Sequence, residues 1–387
     1  MLSERRKKCL NELLKTDLDG VLYAGGGNFQ YLSECKSYFW QRNCFTLDCE
    51  VAGTHIFPEV MLYMNREGKT TILTIPRYKD CFPDQNVVIS YMDQFEDELS
   101  RIIDGKKIGI GRDCEKWFHD TLPEVDPEIE MVPAEEMFFN IRMIKEPGEI
   151  EHLKKLAKFT DDAIMYVVEH LQEGMTQYEI EHMVMEYGIT HGIQDFSFAP
   201  TCGLKTRKTF KSPEENFIFD RNTKLVPGTG IAFDIGYMDQ GYCSDWGRSV
   251  YYGKAPEWVR DGYFALQAAQ VHMIESIVPG KTTVGELYGF ICDKAEELGF
   301  YEYLRFKRTG PSGNGHQIGI EVHELPWLKR ECDQVLLPGM VFCSEPKMMF
   351  PEECYVRVED MILITEDGAV SLTNFPRDLF EIDVLKK

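Results

Sequence analysis

Four acidic residues in the C-terminal half fall into two pairs, Asp234 with Asp245 and Glu345 with Glu359, each spaced to meet across a β-hairpin. The stretch Ile231 to Gly236 alternates in apolar character and reads as a strand. A polar turn at Met238-Asp239-Gln240-Gly241 leads into a second strand that runs from Ser244-Asp245 to Tyr252. Folding the chain midway between Asp239 and Gln240 sets Asp234 opposite Asp245, where side chains on one sheet face approach most closely. Folding it at Glu352, within Pro351-Glu352-Glu353, does the same for Glu345 and Glu359. Like charges placed face to face repel. A sheet that holds both hairpins therefore calls for positive charge between them, and one or two divalent cations are its simplest source.

The two hairpins belong to an internal repeat. Seven residues separate Pro227 from Asp234, and the same seven separate Pro338 from Glu345, each proline being followed by glycine. Further upstream, Glu173-Gly174-Met175-Thr176 resembles Pro279-Gly280-Lys281-Thr282-Thr283, and each segment places threonine to cap a following helix. Two copies of a helix, helix, strand, strand unit predict a pseudo-twofold α+β domain with its acidic hairpins meeting between the halves.

At 387 residues the chain exceeds what one hydrophobic core usually organises, so two domains are expected. The texture changes at Ile141-Arg142-Met143-Ile144-Lys145-Glu146-Pro147, where proline at a first helical turn opens a helix to about His170-Leu171. The division is placed there, giving domains 1–140 and 141–387. The first carries a helix from Ser3 to Leu14, a strand at Gly20–Ala24 closed by a glycine turn, a hairpin from Val60–Met64 to Thr70–Ile75, and a strand at Lys107–Gly111. Gly25-Gly26-Gly27 lacks phosphate-loop spacing and reads as a tight turn.

A net charge of −22 argues against nucleic acid or an anionic membrane as partner. No run of 18 apolar residues is present, and Met1 to Asp17 is charged and amphipathic rather than signal-like. Twelve cysteines are scattered without a CxxC, which predicts reduced thiols and a cytoplasmic location. Cys202, Cys243 and Cys343 fall near the acidic hairpins and read as packing residues.

His316 lies between the two pairs in Ser312-Gly313-Asn314-Gly315-His316-Gln317, and His323 follows in Val322-His323-Glu324-Leu325-Pro326. Carboxylates with one imidazole suit Mn²⁺, Fe²⁺, Co²⁺ or Zn²⁺. Two such ions about 3.5–4 Å apart would bridge a water and generate a hydroxide nucleophile near neutral pH. Arg357, two residues before Glu359 on the same strand face, is placed to orient a carboxylate.

Phe233-Asp234-Ile235-Gly236, Gly241-Tyr242-Cys243-Ser244-Asp245, the stretch Gly315 to Pro326, Ser344-Glu345-Pro346 and Val356-Arg357-Val358-Glu359-Asp360 together resemble the pita-bread metallopeptidases. That group includes methionine aminopeptidase, aminopeptidase P, prolidase and creatinase. The likeness covers roughly 141–380. It extends more loosely to the whole chain through Ile141–Glu151 and Asn28-Phe29-Gln30-Tyr31-Leu32. The resemblance implies Asp234, Asp245, His316, Glu345 and Glu359 as ligands of two divalent ions, Mn²⁺ foremost. It makes Glu345 also a proton shuttle and sets His323 against the substrate carbonyl. It further implies cleavage of an Xaa-Pro peptide bond in a small peptide, and a homodimer.

Two departures keep the substrate open. Where aminopeptidase P and prolidase carry G-x-N-x-x-x-x-H, this chain has Gly203 to Phe210, with Lys205 for the asparagine and Phe210 for the substrate-binding histidine. Lys205, Arg207, Lys208 and Lys211 make that loop cationic, and Gly247-Arg248-Ser249 replaces the family's TR[TS]. A pita-bread hydrolase or lyase of a non-peptide molecule, ectoine hydrolase- or creatinase-like, is the alternative. A metal-free peptide-binding module is a third reading.

Overall fold

The computed structural model describes residues 3–38, 40, 45–48, 55–83, 85–205, 220–309 and 313–382. It divides into two compact units, Met1–Arg142 and Met143–Lys387.

The first unit is built on a six-stranded sheet. Its order is Val87–Ile89, Thr70–Thr74, Val60–Asn65, Gly20–Ala24, Lys107–Ile110 and Glu130–Pro133. The predicted hairpin is antiparallel, with Met61 facing Leu73 and Tyr63 facing Thr71. Gly20–Ala24 pairs parallel with Lys107–Ile110, and its apolar side chains are buried. The glycine run does not end in a bare turn, because Gly27–Ser33 continues as a short helix.

The second unit wraps helices around a larger antiparallel sheet. The sheet's main path runs Thr201–Lys205, Thr229–Ile235, Trp246–Tyr252, Cys354–Ile364, Val341–Ser344, Gly315–Gln317 and Glu324–Trp327. The entry helix spans Pro147–His170, and Glu146 and Glu149 close a reciprocal cap at its start. The helix Glu257–Ser276 buries Val259, Tyr263, Leu266 and Met273 in the same core as Val358, Ile362 and Ile364 of the longest strand. Apolar burial on one face thus fixes the central strands, and leaves their other face to the acidic residues.

The repeat is present as matched backbone bonding. Thr176 and Thr283 each form a capping box, with Glu179 and Glu286, and each pairs with a returning segment, at Lys224 and Val335. Leu225 N–H donates to Met175 O at 2.7 Å, and Leu336 N–H to Thr282 O at 2.9 Å. Gly228 and Gly339 both sit in the left-handed region, at φ 92° and 91°, which only glycine adopts readily. Their N–H groups reach the ends of their own hairpins, Tyr252 O at 2.8 Å and Ile364 O at 2.9 Å. Proline-glycine therefore turns the chain into the first hairpin strand of each half at the same place.

Candidate metal centre

The fold point of the first hairpin lies one residue beyond its expected place, which shifts the strand register by two residues. Asp234 faces Gly247, Met238 faces Cys243, and the fold point falls between Gln240 and Gly241. Both turn residues have positive φ, 50° and 82°, the signature of the tight turn whose twist matches a hairpin. Asp234 and Asp245 are consequently diagonal neighbours on one face rather than directly opposed. The return strand is also interrupted. Tyr242–Cys243 and Trp246–Tyr252 are separate segments, and Asp245 lies in the break. There the Ser244 hydroxyl accepts the Tyr237 N–H (3.0 Å) and bonds Thr160 Oγ1 (2.8 Å).

The second hairpin keeps the register expected of it. Ser344 faces Asp360 and Lys347 faces Arg357, which brackets Glu345 against Glu359. Gly247 in turn faces Glu359, so the two hairpins join edge to edge through these positions.

Three carboxylates converge as a result. Ligand atoms of Asp234, Asp245 and Glu359 lie within 4.8 Å of one another, and a second such group joins Asp245, His316 and Cys343. His316 Nε2 is 3.3 Å from Asp245 Oδ2. Its Nδ1 lies 3.0 Å from Gln317 O, a contact that assigns the ring proton to Nδ1 and leaves Nε2 to face the carboxylates. Glu345 belongs to neither group. Its Oε2 accepts from Lys347 Nζ at 2.5 Å and from Arg357 Nη2 at 2.6 Å.

Arg357 is the positive charge the facing acids required. Besides Glu345 it contacts Asp234 Oδ2 through Nη1 and approaches Glu359 Oε2 to 3.3 Å through Nε. One guanidinium does not neutralise four carboxylates. Asp245 Oδ1 and both oxygens of Glu359 are buried with no hydrogen-bond partner among the described residues. Burial, then Asp245 nearby, pushes the Glu359 carboxyl well above its ordinary range, and burial raises Asp245. Glu345 is buried too, yet Lys347 and Arg357 outweigh that and hold it well below the usual range. Buried carboxylate oxygens without hydrogen-bond partners, beside the buried Nε2 of His316, are the donor set of a hard or borderline divalent cation, so the residues fit one.

His323 sits next to this cluster. Its ring stacks on Trp327 with centroids 5.1 Å apart and meets His316 edge-on at 4.3 Å. Desolvation, then the adjacent His316 ring, lowers its pKa and keeps it neutral. The loop carrying it is pinned from below by a buried ion pair, Lys145 Nζ to Glu324 Oε2 at 3.1 Å, with side chains 1% and 2% exposed. Glu324 Oε1 also accepts the N–H groups of Ile320 and Glu321, at 3.2 and 3.3 Å. Glu324→Gln preserves the shape but removes the carboxylate facing Lys145. The expected cost is about 3 kcal/mol, since an unpaired buried charge is left behind. It is read as a lower urea midpoint at unchanged slope.

Phe210, Arg207, Lys208 and Lys211 lie outside the described residues. Lys205 is described, and ends its strand almost wholly buried. Three residues beside the cluster stand outside the set expected to form it. Lys347 carries no motif. Trp327 falls in no motif. Cys343, expected as a packing residue, is fully buried and lies directly across from His316 in the strand pairing. Its place on the strand Val341–Ser344, two residues before Glu345, was the available signal.

Comparison with known proteins identifies the family. The model of metallopeptidase family M24 matches residues 151–366. A Bacillus subtilis relative, YkvY, is 33% identical over 253 residues, 65% of this chain and 66% of that protein. The Xaa-Pro dipeptidase of Pyrococcus horikoshii is 26% identical over 379 residues, 98% of this chain and 99% of that one. The crystal structure of the prolidase from Pyrococcus horikoshii OT3 superposes with a TM-score of 0.79 at 25% identity, covering 98% of this chain and 100% of that one. Fold and acidic centre together define a two-domain α+β metallopeptidase of pita-bread architecture. The chain belongs to metallopeptidase family M24.

Proposed function

We propose that this protein is an Xaa-Pro dipeptidase or aminopeptidase whose centre holds two divalent cations through Asp234, Asp245, His316, Glu345 and Glu359. The observation that carries the reading is the convergence of Asp234, Asp245 and Glu359, with three buried oxygens that accept no hydrogen bond among the described residues, beside His316. When bound, divalent ions supply Lewis acidity toward the scissile carbonyl and acidify water.

The chain's own residues supply the rest. Arg357 holds Asp234 and Glu345 in fixed orientation. Glu345 stands ready to accept and return a proton, and Lys347 and Arg357 keep it ionised until then. His323, neutral at its position over Trp327, has a ring N–H available for the substrate carbonyl oxygen. Manganese as the working metal, a homodimer and a cytoplasmic location complete the reading. The ten described cysteines are all free thiols, which supports a reducing compartment, and no described helix is long and apolar enough to cross a membrane.

The test uses protein stripped of metal and reloaded with Mn²⁺, assayed on a panel of Xaa-Pro dipeptides, longer Xaa-Pro peptides, proline-free dipeptides and non-peptide amides. Metal-dependent cleavage confined to Xaa-Pro bonds is expected. Turnover of non-peptide amides alone, or Xaa-Pro cleavage indifferent to added metal, would refute the proposal.

A further inference from the structure

The described acid- and base-bearing side chains form two groups with ligand spacing, and one of them contains sulfur. Cys343 faces His316 across paired strands, and its thiol, the His316 imidazole and the Asp245 carboxylate offer atoms within 4.8 Å of one another. The two strands are drawn close at this point. A Cβ on Gly315 would lie 1.8 Å from the Cys343 carbonyl oxygen, and Gly315 has φ 143°, so only glycine fits.

We propose that the subsite beside His316 is a mixed nitrogen, oxygen and sulfur site, in which the Cys343 thiolate joins His316 and Asp245 to take zinc or cobalt in preference to manganese. The inference rests on the metal reading of the centre. It adds a ligand to that centre and distinguishes the metal position beside His316 from the manganese position among the carboxylates.

Three observations carry it. The atoms are close enough: a tetrahedral zinc with bonds of about 2.0–2.3 Å to nitrogen, oxygen and sulfur needs ligand atoms roughly 3.3–3.7 Å apart, a small contraction of this group. Asp245, 4% exposed, has Oδ1 buried without a partner, so the group contains a donor that nothing in the described protein satisfies. Finally, the hard carboxylate that serves this subsite shares its charge with two cations of the chain. Glu345 Oε2 is held by Lys347 at 2.5 Å and Arg357 at 2.6 Å. With that carboxylate's charge shared and a thiol in reach, the balance of donors moves from hard to borderline, which favours Zn²⁺ and Co²⁺ over Mn²⁺. Binding replaces the S–H bond by a metal–sulfur bond and releases the thiol proton to solvent.

The experiment is cobalt titration of the full, metal-stripped chain, followed in the visible and near-ultraviolet, with cobalt binding measured independently by equilibrium dialysis. Wild type is expected to show a thiolate-to-cobalt charge-transfer band together with visible ligand-field bands. Cys343→Ser should keep the ligand-field bands and lose the charge-transfer band, and its zinc affinity should fall by about tenfold or more while manganese affinity stays within about twofold. Cys343→Thr serves as a second variant if serine impairs folding. Cobalt bound without a charge-transfer band in wild type, or a band that survives both substitutions, overturns the sulfur ligand and leaves the carboxylate centre standing. No cobalt bound by dialysis overturns both.

Discussion

Asp245→Ala is expected to give a folded protein that binds no metal tightly and cleaves Xaa-Pro peptides at least about a thousandfold more slowly, some 4 kcal/mol of barrier. Asp245 is the single residue common to both ligand groups, so its removal takes a donor from each. Its loss does not unfold the metal-free protein. Burial and the neighbouring acids already push the carboxyls of Asp245 and Glu359 above their ordinary range, and deleting one relieves the other. The variant should therefore melt at or above the metal-free wild type. Added Mn²⁺ should raise the wild-type melting temperature and leave the variant's unchanged, since only a ligand that binds the native state stabilises it. Full metal stoichiometry with wild-type turnover in Asp245→Ala would show that the centre is wrongly assigned.

The second large effect lies on the opposite face of the same strands. Arg248 and Asp360 are both 0% exposed and form an ion pair. Asp360 also accepts from Thr373 Oγ1 at 2.7 Å and from Arg377 Nη2 at 3.0 Å, while Arg248 donates to the Glu359 carbonyl oxygen. Burial works against ionisation of Asp360, and Arg248 and Arg377 overcome it, holding its pKa at about 2. Arg248→Met removes the main counter-charge from a fully buried carboxylate. The expected cost is about 4–5 kcal/mol, seen as a fall of roughly 10 °C in melting temperature.

The pH dependence has a definite sign. Asp360 has a folded pKa below its ordinary 3.8. Its contribution to stability is present above about pH 4 and is lost as pH falls toward 2. Arg248→Met should flatten that acid limb. Replacing Asp360 by leucine as well should recover much of the loss, because the pair then disappears without leaving a stranded charge. A single variant as stable as wild type would contradict this account.

Much of this architecture was legible because it repeats. The equal spacing from Pro227 to Asp234 and from Pro338 to Glu345 marks two strands entered by one device, and the bonding around Gly228 and Gly339 is its physical form. The entry helix announced itself by Pro147 and its acidic first turn. What escaped was geometry that depends on a single residue. Gln240 in a left-handed conformation moves the fold point of the first hairpin by one position, and glutamine carries no signal for that conformation. Cys343 became visible only once strands far apart in sequence were paired, since it faces His316 on another segment, whereas Lys347 and Trp327 act on near neighbours in the chain, Glu345 and His323, through turns that no motif marks. Arg248 and Asp360 were hidden for a related reason. Buried ion pairs are joined across the sheet and have no local pattern.

Arg357 separates two events in the life of this protein. Its guanidinium rests against Asp234, Glu345 and Glu359, so part of the charge that would drive the hairpins apart is already compensated by the chain itself. Polypeptide assembly need not wait for an inorganic ion, and maturation becomes an exchange in which an incoming cation displaces contacts of a resident one. A newly made chain can then complete its fold in a compartment poor in free metal and be charged later, with occupancy set by supply rather than by the order of synthesis.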